Sequence, residues 1–251
     1  MDNATFWIQG KFPAPGAVRR IVAFGDSLSD TGFAQGSGFG RYSNGPTWVE
    51  YLARRLDAAL FCRAWGGART DRGNCSGPED WSGLAWQIVQ HDCAGDPEET
   101  LYAVLAGVND LCDGDGDPQA TAERLVAAHD ALQSNGAAQI LMLTLPDLSR
   151  APAYHAQERY RAVRAAVHER TLAANRALLG LLRTRPCMVF DAAGLFAALL
   201  DAGYRNTAEP WLGTHSYPDP QEYFWWDEWH PMTSVHERLA DAVAVAGPAS
   251  A

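Results

Sequence analysis

The chain has 251 residues, with 20 Lys and Arg against 30 Asp and Glu, for a formal net charge of -10. That length fits one larger domain, and 47% apolar against 20% charged residues is an ordinary globular balance. The acidic excess argues against nucleic acid as a partner and against electrostatic docking on anionic membranes, and no apolar stretch approaches the roughly 20 residues of a membrane span.

Residues 1–19 read as an N-terminal extension ahead of a single domain over residues 20–251. The stretch has no apolar core of signal-peptide type. The chain therefore fits either a trimmed mature form, which implies a secreted or periplasmic protein, or one made without that signal. Arg20–Phe24 is an apolar run that reads as a first strand. Gly25-Asp26-Ser27-Leu28 follows it. Gly, Asp and Ser are ordinary turn residues, yet a serine just past an early strand is well placed to be exposed as a nucleophile. Gly36-Ser37-Gly38-Phe39-Gly40 lacks dinucleotide-fingerprint spacing and reads as a flexible loop over the site.

Short apolar runs then alternate with helical segments. The runs are Leu60–Trp65, Leu101–Ala106, Gln139–Leu145 and Cys187–Asp191; the helical segments are Thr47–Leu56, Ser82–His91, Pro118–Asn135 and Tyr154–Arg185. Short continuous runs bounded by turn residues are expected of strands buried on both faces. Their alternation with helices predicts an α/β fold with a parallel sheet between helical layers. In such sheets the ligand crevice lies outside the carboxyl ends of the strands, where Ser27 falls. Asp113-Gly114-Asp115-Gly116-Asp117 has Pro118 where a calcium loop needs Gly, and reads as a solvated acidic turn.

The five cysteines leave at least one unpaired in a monomer. Cys62 and Cys187 read as buried free thiols in apolar runs. Cys75, Cys93 and Cys112 lie in Gly- and Asp-rich loops, where one disulfide or three thiols both fit. Cys-x-x-Cys and His-Glu-x-x-His are absent, so no metal site is expected.

A serine hydroxyl needs a base to take its proton, an orienter for the base and donors for the oxyanion. Of seven histidines, His230 has a carboxylate in serving position, because Asp227 lies three residues before it and residues three apart in a helical turn share a face. Pro231 bends the loop at His230, and Ser234-x-x-Glu237 reads as a capping box opening the last helix. His236, in that first turn, is expected to face solvent. For the oxyanion, Gly66-Gly67-Ala68 and Gly107-Val108-Asn109-Asp110 follow two other strands; glycine lets a backbone N–H approach a ligand, and Asn109 carries an amide donor.

At these residues the chain resembles the GDSL, or SGNH, hydrolases, named for a Ser, a Gly, an Asn and a His in separate blocks. Gly25 to Asp30 resembles the first block, Gly66-Gly67-Ala68 the second, Gly107 to Asp110 the third, and Asp227-x-x-His230-Pro231 the last. Arg41-Tyr42-Ser43-Asn44-Gly45 is similar to a segment of the lipase-like branch. The resemblance spans roughly residues 20 to 245. It implies a flavodoxin-like three-layer α/β/α sandwich around a mostly parallel five-stranded sheet. It also implies Ser27 as nucleophile, His230 as base, Asp227 as orienter, and an oxyanion hole of Ser27, Gly67 and Asn109, without a cofactor. Trp65 and Met232 depart from the family pattern and bear on substrate rather than chemistry.

The implied activity is hydrolysis of carboxylic esters, from short acyl esters to lipids and lysophospholipids. Acyl transfer to another alcohol and carbohydrate O-deacetylation use the same groups, and a binding module that lost catalysis is the rival class. Residues 204–229 are rich in aromatics, among them Trp226 and Trp229. With Trp65 these are candidate substrate contacts. The same run fits a long loop pinned to the body, or a transient contact with a lipid interface.

Overall fold

A computed structural model describes residues 6–14, 16–32, 41–77, 79–91, 96–214 and 219–245. The predicted loop at Gly36–Gly40, Cys93 and His215 lie outside the described residues. Among the described residues, strands and α-helices follow in chain order: β1 (Trp7–Gln9), β2 (Arg20–Gly25), α1 (Trp48–Leu56), β3 (Ala59–Cys62), α2 (Leu84–Val89), β4 (Thr100–Leu105), α3 (Val108–Leu111), α4 (Pro118–Ser134), β5 (Gln139–Leu143), α5 (Ala153–Ala156), α6 (Glu158–Leu182), β6 (Met188–Phe190), α7 (Ala192–Ala202), β7 (Asn206–Pro210), β8 (Tyr223–Trp225) and α8 (Thr233–Ala244). Among the described residues, no helix is long and apolar enough to cross a membrane.

The main sheet has six strands in the order β1-β6-β5-β4-β2-β3. The five predicted strands form its parallel part, the flavodoxin-like arrangement. The sixth was not expected: Trp7–Gln9, inside the predicted extension, pairs antiparallel with β6. Three residues are too few for an alternation to register in sequence, and Trp7 is held by tertiary contacts, its ring packed edge-on against Phe190 at 5.3 Å.

Alternate residues of β2, β4, β5 and β6 supply two cores, whereas β3, predicted to be buried on both faces, is an edge strand with Ala59 and Phe61 exposed. Ile21, Ala23, Leu101, Ala103, Leu141 and Phe190 face one way, toward α1, α7 and α8. Val22, Phe24, Tyr102, Val104, Ile140 and Val189 face the other, toward α2, α4 and α6. Burial on both faces is why these strands read as continuous apolar runs.

Local departures have physical causes. The predicted helix Tyr154–Arg185 breaks at Gln157, whose extended backbone (φ -103°, ψ 125°) separates α5 from α6. The aromatic run after residue 204 is largely internal. Tyr223, Phe224 and Trp225 have no exposed surface, and β8 pairs with β7 in a two-stranded sheet. These rings pin the loop to the body. The last helix begins at Thr233 with Met232 as N-cap and no side-chain cap of its own, so Ser234 does not open a capping box. His236 is buried at 1% exposure instead of facing solvent, because α8 turns that face onto the core. Cys62 is buried as expected, but Cys187 is half-buried; Cys75 and Cys112 are free thiols.

Candidate active site

β2 ends at Gly25 with φ 147°, so close to β4 that an added Cβ would collide with the Leu105 carbonyl. Glycine alone fits there. The buried Gln87 clamps the same residue, accepting the Gly25 N–H at 2.9 Å and donating to its carbonyl at 2.8 Å. The chain then turns tightly: the N–H groups of Ser29 and Asp30 donate to the Asp26 carbonyl, and Leu28 N–H donates to Asp26 Oδ1 at 3.0 Å. This carboxylate-capped turn presents Ser27 at the carboxyl end of β2, beside the β2/β4 switch point.

Ser27 Oγ lies 2.9 Å from His230 Nε2. Nδ1 of the same ring lies 2.9 and 3.0 Å from the two Asp227 carboxylate oxygens. The spacing of three works through a bend rather than the predicted helical turn. Asp227 Oδ1 accepts the backbone N–H groups of Trp229 at 2.8 Å and His230 at 2.6 Å, which curls the chain so that both side chains meet. Trp226 N–H donates to the His230 carbonyl and Met232 N–H to that of Phe224, tying the loop to β8. Burial alone would raise the Asp227 carboxyl; the hydrogen bonds from His230 and Trp229 outweigh it and hold the group below its ordinary value. An ionised Asp227 only accepts, so Nδ1 carries the proton and Nε2 is free to take one from Ser27.

The second and third blocks close around the same point. Gly66 N–H is taken by Asp30 Oδ2 at 2.8 Å. Ser27 and Gly67, in contrast, have no hydrogen-bond acceptor for their N–H groups among the described residues. Gly67 needs its φ of 77°, and an added Cβ would strike Asn74 Oδ1. Asn109 Nδ2 donates to the Ala68 carbonyl at 3.0 Å, which fixes the amide, and its second hydrogen has no acceptor among the described residues.

Ser27, Gly67, Asn109, Trp229 and His230 all line one cavity of about 520 Å³. Its remaining walls include Leu28, Tyr42, Cys75, Val108, Cys112, Leu148 and Tyr160. Of the three candidate substrate contacts, Trp229 is a wall, packed edge-on to Tyr160 at 4.6 Å. Trp65 and Trp226 are not walls; Trp65 packs into a cluster with Trp81 and Trp86 at 4.8 and 6.3 Å. Sequence reasoning missed the Cys75, Cys112, Leu148 and Tyr160 walls. They come from a loop, a helix end, a short turn and a helix face that carry no shared motif. Cys112 is a poor nucleophile here, since burial pushes its thiol up to about 12.

Next to Ser27 in the chain, Asp26 is fully buried and its Oδ2 has no hydrogen-bond partner among the described residues. Burial pushes its carboxyl up to about 7, against the Leu28 N–H and with the nearby Asp110 adding to the rise.

A model of the family "GDSL-like Lipase/Acylhydrolase" matches residues 21–243. Among curated proteins, the chain is 28% identical to the thermolabile hemolysin of Vibrio parahaemolyticus over 95% of this chain and 66% of that protein. It is also 28% identical to the phosphatidylcholine-sterol acyltransferase of Aeromonas hydrophila, over 73% of this chain and 61% of that protein. The chain thus spans less than two thirds of the length of these relatives. Solved structures with the same fold include a carbohydrate acetylesterase from Sinorhizobium meliloti (TM-score 0.62, 15% identity, 90% of this chain and 96% of that one). Another is the M. smegmatis aryl esterase (TM-score 0.61, 17% identity, 90% of this chain and 97% of that one).

Proposed function

Because the chain belongs to the GDSL-like lipase and acylhydrolase family, we propose that it cleaves carboxylic esters through an acyl-enzyme on Ser27. The observation that carries this reading is the continuous Ser27–His230–Asp227 hydrogen-bond relay at the wall of a cavity. His230 Nε2 takes the hydroxyl proton as Ser27 Oγ bonds to the ester carbonyl carbon. The charge that develops on the carbonyl oxygen meets the N–H groups of Ser27 and Gly67 and the Asn109 amide. Collapse breaks the bond to the alcohol, which leaves with the proton from His230. Water then bonds to the acyl carbon as His230 takes its proton; the bond from that carbon to Ser27 Oγ breaks, Oγ recovers the proton from His230, and the acid leaves. Asp227 holds the tautomer and balances the imidazolium throughout.

Val108, Cys112, Leu148, Tyr160 and Trp229 form an apolar side of the cavity suited to an aliphatic acyl chain. Lipid and short acyl esters, lysophospholipids among them, are the proposed substrates. Acyl transfer to an alcohol other than water is the second reading. It draws on the relative named as an acyltransferase and needs only that the alcohol displace water in the second step.

A serine-directed fluorophosphonate tests the first reading. The parent is expected to label at Ser27 and Ser27→Ala to stay unlabelled, with p-nitrophenyl esters of increasing chain length turned over by the parent alone. Absence of both labelling and turnover would refute the hydrolase reading and favour a binding module. Leu148→Trp, which fills part of the seat, is expected to move the optimum to shorter chains. Product analysis with an added alcohol separates transfer from hydrolysis.

A further inference from the structure

The base loop is held from outside itself. α8 begins at Thr233, and its N-cap residue, Met232, has no side-chain oxygen to offer. The first N–H groups of a helix need acceptors. Here the acceptor arrives from 189 residues away in sequence: Asn44 Oδ1 takes the Thr233 N–H at 2.8 Å. Neighbouring residues reinforce the contact. Ser43 Oγ donates to the Pro231 carbonyl at 3.4 Å. Thr233 Oγ1 donates to the Pro46 carbonyl at 2.8 Å and pairs with the Tyr51 hydroxyl at 2.9 Å. Gly45 permits this closeness, since a Cβ there would stand 2.7 Å from Thr233 Oγ1.

The same segment reaches the imidazole. The Tyr42 ring lies 4.9 Å from that of His230, at an interplanar angle of 33°. The ring also lies against Gly66, where an added Cβ would collide with it, so Tyr42 sits between the second block and the base. The segment is anchored in turn. The Arg41 guanidinium grips the Glu50 carboxylate at 2.6 and 3.1 Å. Glu50 is buried in α1 and accepts the Thr47 N–H at 2.8 Å.

We propose that Tyr42–Pro46 is a clasp that positions His230 for proton transfer, with Asn44 and Tyr42 as its positioning residues. The inference rests on the reading of His230 as the base of the Ser27 reaction. Asp227 fixes one edge of the ring, but its own loop is a bend whose far end is the start of α8. Asn44 fixes that end, and Tyr42 covers one ring face. Proton transfer needs hydrogen-bond reach, and a displacement of about 1 Å costs on the order of 100-fold.

The test is steady-state kinetics on a short-chain p-nitrophenyl ester. Asn44→Ala and Tyr42→Leu are each expected to lower kcat about 10- to 100-fold, with KM within about twofold for Asn44→Ala, which alters no cavity wall. Asn44→Asp restores most of the rate, because a carboxylate accepts the same N–H at a helix N-terminus. Tyr42→Phe, which keeps the ring, recovers most of what Tyr42→Leu loses. Parent-level kcat in Asn44→Ala, or an equal loss in Asn44→Asp, overturns the proposal. If Asn44→Ala fails to fold, the Tyr42 pair decides by the same criteria. Ser27→Ala is run alongside: turnover that survives it overturns the serine reading itself, whereas a Ser27-dependent enzyme indifferent to Asn44 and Tyr42 overturns the clasp alone.

Discussion

Replacing His236 by leucine is expected to make the fold more resistant to acid. The residue is 1% exposed, and neither ring nitrogen has a hydrogen-bond partner among the described residues. Burial pushes the imidazole from 6.5 down to about 3, with the nearby His230 acting in the same direction. Below pH 6.5 the unfolded chain therefore binds a proton that the folded chain refuses. Stability from this group is intact above the unfolded value and falls as pH drops toward 3, by about 1.4 kcal/mol per pH unit. Asp26 acts in the opposite sense. Its carboxyl rises from 3.8 to about 7, so the folded state keeps a proton that the unfolded state releases, and stability is lost as pH rises through that window. Asp110, also raised by burial, acts in the same sense as Asp26. Between about pH 4 and 6.5 the His236 and Asp26 slopes nearly offset in the parent. His236→Leu removes one of them. Relative to the parent, the variant gains about 3 kcal/mol between about pH 7.5 and pH 4.5, two units below the histidine's unfolded value. Packing changes made by the leucine cancel in that comparison, because they do not depend on pH. Urea unfolding followed by tryptophan fluorescence at the two pH values measures it. A parent-to-variant difference that is the same at both would refute a buried, neutral His236.

Other perturbations address the candidate site. Asn109→Ala is expected to lower kcat for a short acyl ester about 100- to 1,000-fold while circular dichroism stays unchanged. In Asp227→Asn the side-chain oxygen still accepts from Trp229 and His230 N–H, so the bend survives, but the amide nitrogen cannot accept from Nδ1. The wrong tautomer then lowers kcat on the order of 10,000-fold with little change in Tm. Gly67→Ala puts a Cβ against Asn74 Oδ1 on a backbone at φ 77°, and denaturant unfolding is expected to show a loss of more than about 1 kcal/mol.

Much of this was legible locally. The inner parallel strands announced themselves as apolar runs because burial on both faces removes any polar alternation, as in Thr100–Leu105, where every residue is buried; β3 read the same way although, at the sheet edge, it exposes Ala59 and Phe61. Ser27 was legible because Gly25, Asp26 and Ser27 are turn residues placed directly after such a run. Asp227 and His230 were legible as a pair because only three positions separate them, even though the geometry joining them is a bend. The sheet's sixth strand was hidden, since Trp7–Gln9 is a strand only by pairing with β6. The burial of His236 was hidden because a polar residue in a first helical turn looks alike whichever face the helix turns inward. Among the tryptophans, Trp229 reached the cavity and Trp65 did not, a distinction of direction that composition does not carry.

The sequence by itself determined the candidates for the proposed chemistry: which hydroxyl, which imidazole, which carboxylate and which strand ends would carry it, all set by residue type and short-range spacing. Only the tertiary structure decided how the groups are held. Asn44 caps a helix that begins 189 residues later, Gln87 clamps Gly25, and Asp30 occupies Gly66 N–H while Gly67 N–H has no acceptor among the described residues. The physical reason is that hydrogen bonding and packing act through space, and a partner far along the chain leaves no periodic or neighbouring signal where its effect is felt.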